Sequence, residues 1–262
     1  MSKNNLKWDA NLYQKSSLYQ YNLGMMTLEQ LKPKDFEKIL EIGYGNGMIT
    51  IELAKMIPNG LITAIEISKE MIEQVKINLI KQSIKNVNLV NKNALEIDYI
   101  NEFDAIFSNS AIHWIRNLEL MYKLIYNALK PKGRIMIQTG LRERNILSKT
   151  VFKMFQIKEF REFFRNFQNP WRFLTATETK KILIENNFRD IKILTYHYQM
   201  NFKNRQELIN YFKASTFVPF FEIIPENARI DFTEKFIETF LSLNKPKELS
   251  LTTPRFFISA NK

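Results

Sequence analysis

Over residues 37–140, short apolar runs rich in β-branched residues alternate with amphipathic runs of helical period, and no other feature constrains the fold as strongly. EKILEIG (37–43), LITAIEI (61–67), VNLVN (87–91), FDAIFSN (103–109) and RIMIQTG (134–140) read as strands. GMITIELAKMI (47–57), SKEMIEQVKINLIKQ (68–82) and ELMYKLIYNALK (119–130) read as helices; the second opens on a Ser cap and the third is stopped by PKG. Strands joined through helices run parallel, because a parallel pair needs a long crossover connection. The expected class is therefore α/β, with a doubly wound, mostly parallel sheet.

Beyond residue 140 the texture changes. Residues 146–170 are helical and rich in Phe, ATETKKILIENN (176–187) is an amphipathic helix, and RDIKILTYHYQM (189–200) reads as a strand. A second helical stretch covers about 204–243, and LTTPRFFISAN (251–261) supplies a last strand, for seven in all. This divides the chain into an N-terminal lid segment (1–30), a core (31–145), and a remainder (146–262) that completes the sheet. The insertions at about 146–170 and 204–243 are expected to fold together as a helical cap. No repeat or low-complexity linker interrupts the chain.

Composition narrows the function classes. A chain of 262 residues can bury roughly 70–75% of its unfolded surface, enough for a sizeable core. With 45% hydrophobic and 25% charged residues, and no apolar run near the roughly 18 residues of a membrane span, the expectation is a soluble globular protein. MSKNNLKWDA, the first ten residues, has no hydrophobic signal segment. Cysteine is absent, which removes disulfides, thiolate metal ligands and cysteine nucleophiles; no metal is expected, and the expected location is cytoplasmic. The net charge of +11 favours anionic partners, but Lys and Arg are spread along the chain without a cluster.

The densest chemical signal is ILEIGYGNGM (39–48), where Gly43, Gly45 and Gly47, three of only seven glycines, fall between a strand and a helix. Glycines there allow positive φ and let the backbone approach a ligand closely. Glu66 closes the next strand, where a carboxylate can accept hydrogen bonds from both hydroxyls of a ribose. Glu41, ahead of the first glycine, disfavours a pyrophosphate and suits a cationic ligand group such as an ammonium. E-x-G-x-G-x-G with an acid ending the second strand resembles the class I S-adenosylmethionine-dependent methyltransferases, and the order of elements is similar to theirs along the chain. The LKPKG turn (129–133) before RIMIQTG is similar to another of their marks.

The resemblance implies a Rossmann-like fold, S-adenosyl-L-methionine as cofactor, and methyl transfer as the reaction. It places Gly43, Gly45 and Gly47 under the methionine part with Glu41, Glu66 on the ribose, and Ile67 against adenine. Asn93 and Ala94, in NKNALEID, stand where the family often has Asp-Ala near the adenine amino group, and Asn109 ends the fourth strand beside the cofactor.

The acceptor is read from the residues after that strand. SNSAIHW (108–114) lacks the Pro-Pro-aromatic motif of exocyclic amine methylation, and the missing cysteines exclude carbon-5 pyrimidine and arsenic methylation as the related enzymes perform them. YQKSSLYQ (13–20) puts Tyr13, Ser17 and Gln20 on one helix face. Y-x-x-x-S-x-x-Q with a Trp after the fourth strand resembles the salicylate-type and juvenile hormone acid carboxyl methyltransferases. That resemblance implies Gln20 and Trp114 on a substrate carboxylate, with Tyr13 and Ser17 on the cofactor. The C-terminal half, including residues 201–232 and 251–260, resembles trans-aconitate methyltransferases and the malonyl carrier-protein methyltransferase of biotin synthesis. Arg142, Arg144, Arg172 and Arg255 are candidates for a further anionic group of the acceptor.

The leading expectation is O-methylation of the carboxylate of a small or carrier-bound acid by direct in-line transfer. A carboxylate is already ionised at neutral pH and needs no general base. The alternative is a hydroxyl or amine acceptor with His113 as base. A nucleic-acid acceptor is less favoured for want of a base-reading motif, and a noncatalytic cofactor binder would not need an intact loop and Glu66.

Overall fold

The structure, a computed structural model, describes residues 18–143, 145–244 and 249–262. In chain order its main elements are α1 (Leu18–Leu31), β1 (Lys38–Ile42), α2 (Met48–Met56), β2 (Leu61–Glu66), α3 (Lys69–Lys81), β3 (Val87–Asn91), β4 (Phe103–Asn109), α4 (Leu118–Ala128) and β5 (Leu129–Gly140). They are followed by α5 (Ile146–Met154), α6 (Lys158–Arg161), α7 (Ala176–Glu185), β6 (Arg189–Asn201), α8 (Arg205–Ala214), α9 (Val218–Phe221), α10 (Arg229–Leu243) and β7 (Ser250–Asn261).

The seven strands form one sheet in the order β3-β2-β1-β4-β5-β7-β6. The pairs β1–β2, β2–β3, β1–β4 and β4–β5 are parallel, and β7 runs antiparallel to β5. The fold is thus the expected Rossmann-like α/β sheet, mostly parallel. The chain leaves β1 toward β2 on one side and returns at β4 on the other, so the sheet's topological switch lies between the ends of β1 and β4, where α/β sheets bind ligands.

Local signals account for the element ends. Ser68 caps α3 by accepting from Met71 N, Asn117 caps α4 by accepting from Leu120 N, and Thr175 with Glu178 makes a capping box at α7. Each such cap contributes about 1 kcal/mol. The central strands read as continuous apolar runs because both faces are covered: Ile39, Leu40, Ala105, Ile106 and Phe107 are all fully buried. β5 begins earlier than RIMIQTG suggests. Its ladder with β4 steps from Phe103↔Leu129 to Ala105↔Arg134, so Lys130–Gly133 bulge out of register, with Lys132 at φ 67°.

The described chain forms two compact units. One comprises residues 18–142, 171–196 and 255–262 and holds the parallel strands with α1, α2, α3, α4 and α7. Its core includes Leu40, Ile65, Ile106, Tyr122, Ile125, Ile137 and Leu183. The other comprises 143–170 and 197–254 and is mainly helical, with α5 packed against α10. There Phe164, Phe212, Phe217, Phe220, Phe232 and Phe236 meet largely edge to face, the geometry ring quadrupoles prefer. Among the described residues no helix is long and apolar enough to cross a membrane.

Candidate functional site

The strands β1, β2, β4 and β5 end at the same edge of the sheet, because they are parallel. After β1 the backbone turns through Gly43 (φ 72°), Gly45 (φ 54°) and Gly47 (φ 72°), conformations that side chains rarely adopt. A Cβ on Gly43 would strike that of Ala111, and one on Gly47 would meet Val75 Cγ1 at 2.6 Å. The loop is therefore pressed between the residues after β4 and helix α3. Gly43 N donates to Ile65 O at 2.9 Å, which docks it onto β2.

Glu66 organises the other side. Its carboxylate accepts from Gly45 N at 3.1 Å through Oε2, and from Ile67 N at 2.8 Å and Ser68 N at 3.1 Å through Oε1. Charge-assisted bonds to three backbone donors fix its direction and tie it to the glycine loop. Asn91 Nδ2 donates to the Glu66 and Ile67 carbonyls at 2.8 and 3.0 Å, steadying the chain beneath. Ile67 is 59% exposed, an apolar side chain left in solvent beside that carboxylate.

Glu41 is the electrostatic anomaly. It is only 2% exposed, and its Oε2 has no hydrogen-bond partner. Burial pushes its pKa up to about 8, a rise that the nearby Thr50 hydroxyl opposes and the Glu66 charge increases. Thr50 is close enough to ease that rise, yet its Oγ1 and Glu41 Oε2 are both outside hydrogen-bonding geometry with any group. Tyr44, buried in the same loop, also has an unpartnered hydroxyl, and burial followed by the charges of Glu66, Glu41 and Glu73 keeps it protonated.

At the end of β4, Asn109 Nδ2 donates to Gln20 O at 3.0 Å, bringing α1 to the strand end. Gly24 permits this approach: a Cβ there would strike the Ile49 side chain and lie 3.0 Å from Asn109 Nδ2. Asn109 Oδ1 and Gln20 Oε1 are both buried and unpartnered. Buried polar groups are rarely left unsatisfied, and each costs about 1–3 kcal/mol. Unpartnered acceptors on Glu41, Asn109 and Gln20, a phenol donor on Tyr44 and a shared edge with Glu66 suit a ligand carrying both an ammonium and hydroxyls.

A family model described as a methyltransferase domain matches residues 33–189. The chain belongs to that family. It is a class I S-adenosylmethionine-dependent methyltransferase, and its cofactor carries the ammonium and the ribose hydroxyls that the unpartnered groups suit. The methyltransferase is 24% identical over 201 residues to the protein named as methyltransferase 235L of invertebrate iridescent virus 6, covering 77% of this chain and 74% of the viral one. It is 31% identical over 133 residues to the malonyl-[acyl-carrier protein] O-methyltransferase of Priestia megaterium, covering 50% of this chain and 47% of that enzyme. In fold it is similar to phosphoethanolamine N-methyltransferase 2 of Haemonchus contortus in complex with S-adenosyl-L-methionine, with TM-score 0.65, 18% identity, and 97% of this chain and 56% of that one covered.

The remaining candidates are spread more widely. Trp114 sits in a 3-10 turn, Ile112–Trp114, just past β4. His113 beside it is 8% exposed, its Nδ1 lies 3.2 Å from Thr139 Oγ1, and its ring stacks on Phe173 at 5.2 Å. Burial, then the Arg255 charge, lowers its pKa to about 3, so it is neutral at physiological pH. Asn93 uses its side-chain oxygen to accept from Leu95 N at 2.9 Å, capping a short turn that holds the buried Ala94. Tyr13, Ser17 and Arg144 lie outside the described residues. Two of the arginines put forward for an anionic acceptor group are occupied: Arg142 pairs with Glu178 and Arg172 with Glu119.

The sequence reading missed Gln138 and Trp171. Gln138 is fully buried in β5, accepts from Ser110 Oγ at 2.7 Å, and keeps an unpartnered Nε2. A Gln inside the apolar run RIMIQTG was a usable signal, since a buried amide needs partners. Trp171 lies 5.6 Å from Trp114, ring centre to ring centre.

Proposed function

We propose that this methyltransferase O-methylates the carboxylate of a small or carrier-bound acid. The observation that carries the proposal is the state of His113, which is buried, stacked and neutral with a pKa near 3. A group that weakly basic is a poor acceptor for a hydroxyl proton near neutral pH. An acceptor that arrives already ionised avoids the problem, and a carboxylate does so. The similarity to malonyl-[acyl-carrier protein] O-methyltransferases supports the same class of acceptor.

In this proposal the cofactor, when bound, supplies an electrophilic methyl group on its sulfonium. Glu66 accepts from the ribose hydroxyls, Gly43, Gly45 and Gly47 present backbone beneath the methionine part, and Glu41 faces its ammonium. Ile67, Asn93 and Ala94 border the adenine; Tyr13, Ser17 and Asn109 complete the cofactor contacts. Gln20 and Trp114 each offer an N–H donor to the acceptor carboxylate and so hold one oxygen in line for transfer. Orientation of that kind supplies on the order of 7–11 kcal/mol of the barrier. A cytoplasmic site of action fits the cysteine-free composition.

The test is incubation of the purified chain with methyl-labelled cofactor and a panel of carboxylic acids, free and carrier-linked, malonate among them. Base-labile label in an acid supports the proposal, whereas label entering only phenols or amines overturns it. Glu66→Ala separates cofactor binding from chemistry: calorimetry with S-adenosylhomocysteine should show a loss of roughly 1.5–3 kcal/mol for the lost charge-assisted bond. Unchanged affinity removes Glu66 from the site.

A further inference from the structure

Trp114 has an aromatic neighbour from a distant part of the chain. Trp171 approaches it at 5.6 Å with the ring planes at 59°, and two residues on, Phe173 stacks on His113 at 26°. Both come from Trp171–Arg172–Phe173, a stretch in neither helix nor strand. Arg172, between them, is what ties this stretch down. Its backbone N–H donates to His113 O at 2.7 Å, and its guanidinium donates to Arg116 O at 2.6 Å and to both carboxylate oxygens of Glu119 in the first turn of α4. The Arg172 contacts therefore bracket the turn that carries Trp114. The pairing holds the Glu119 carboxyl below its ordinary pKa and raises that of Arg172. A bidentate Arg–carboxylate pair fixes direction as well as distance, which a Lys could not do.

We infer that Trp171 is the second aromatic wall of the acceptor site and sets acceptor specificity, and that the Arg172–Glu119 pair positions it. The inference rests on the reading of Trp114 as an acceptor contact. It also narrows the acceptor class. Two indoles and a neutral His113 make an uncharged, polarisable wall, suited to an acid whose body beside the reacting carboxylate is flat or apolar. A second negative charge of the acceptor would point away from this wall.

The experiment measures steady-state kinetics for an acid that turns over, alongside calorimetric affinity for S-adenosylhomocysteine, in Trp114→Phe, Trp171→Ala, Trp171→Phe, Arg172→Lys and the reversed pair Arg172→Glu with Glu119→Arg. Trp171→Ala and Arg172→Lys should raise the acceptor KM roughly tenfold or more, with cofactor affinity within about twofold, since the loss is of acceptor orientation. Trp171→Phe keeps a ring and should lose less, and the reversed pair should recover much of the Arg172→Lys deficit. Folded Trp171→Ala and Trp171→Phe proteins with an unchanged acceptor KM overturn the inference while Trp114→Phe still raises it. An unchanged KM in Trp114→Phe removes the underlying reading as well. Parallel losses of KM, cofactor affinity and thermal stability in the Arg172 variants would reduce that residue to a fold support.

Discussion

Two buried titratable residues give the site a pH signature whose parts have opposite sign. Glu41 holds its proton to about pH 8 in the folded chain against an ordinary value of 4.5, so the native state binds more protons than the unfolded chain between those limits. Stability therefore falls as pH rises through that window. His113 is depressed from 6.5 to about 3, so the unfolded chain binds more protons there and stability rises with pH up to 6.5. Between 4.5 and 6.5 the two slopes oppose each other; from 6.5 to 8 only the Glu41 slope remains. The cofactor-free protein should lose stability in urea across that upper range, by at most ~1.4 kcal/mol per pH unit for one proton, and Glu41→Gln should flatten the profile. A wild-type profile that is already flat would place Glu41 in a less buried setting. The neutral His113 carries a second expectation. Turnover of a carboxylic acid should be level from about pH 6 to 8, and His113→Asn should retain most of it, because no base titrates in the reaction. A loss of roughly a hundredfold in that variant, with its fold intact, would instead mark His113 as a base and favour a hydroxyl acceptor.

The strand-to-helix turn after β1 is where backbone geometry bears directly on ligand binding. At Gly47, any side chain adds the cost of a left-handed backbone, about 1–2 kcal/mol, to a collision with Val75 of α3. Gly47→Ala should thus lower Tm and cofactor affinity together, and Val75→Ala in the same chain should recover the steric part but not the backbone part. Full recovery would mean the left-handed conformation is not required. This turn was readable in advance because its requirement is local: positive φ calls for glycine, and the place of Glu66 is set by strand length. β3 and β4 begin and end where VNLVN and FDAIFSN do, since apolar runs between polar turns carry their own boundaries. The start of β5 was not readable, because Pro131 and Gly133 look like a plain turn while the ladder in fact absorbs them as a bulge. The pairs that shape the proposed acceptor site were hidden for a different reason. Arg172 and Glu119 are 53 residues apart, Ser110 and Gln138 are 28 apart, and no period in the sequence announces such partners.

At the scale of the whole molecule the relevant quantity is charge. A net charge of +11 leaves a positive field around the chain even though its Lys and Arg are dispersed. That field cannot distinguish one small acid from another at contact distance, but it speeds the encounter with an extended anion, and salt weakens it once the Debye length falls from about 10 Å at 0.1 M toward about 3 Å at 1 M. An acid carried on an acidic protein presents many negative charges, whereas the same acid on a short thioester presents one or two. If the carrier-bound form is the physiological acceptor, kcat/KM for the carrier-linked acid should fall roughly tenfold or more between low and high salt, mostly through slower association. For the small thioester of the same acid the change should stay within about twofold, because the final orientation by the proposed acceptor contacts is short-range and poorly screened. Measuring the two substrates side by side over one salt series separates the outcomes. Equal and shallow dependence for both would assign the acceptor to free small acids. A steep dependence confined to the carrier-linked substrate would identify the basic surface as the means by which its carrier is found.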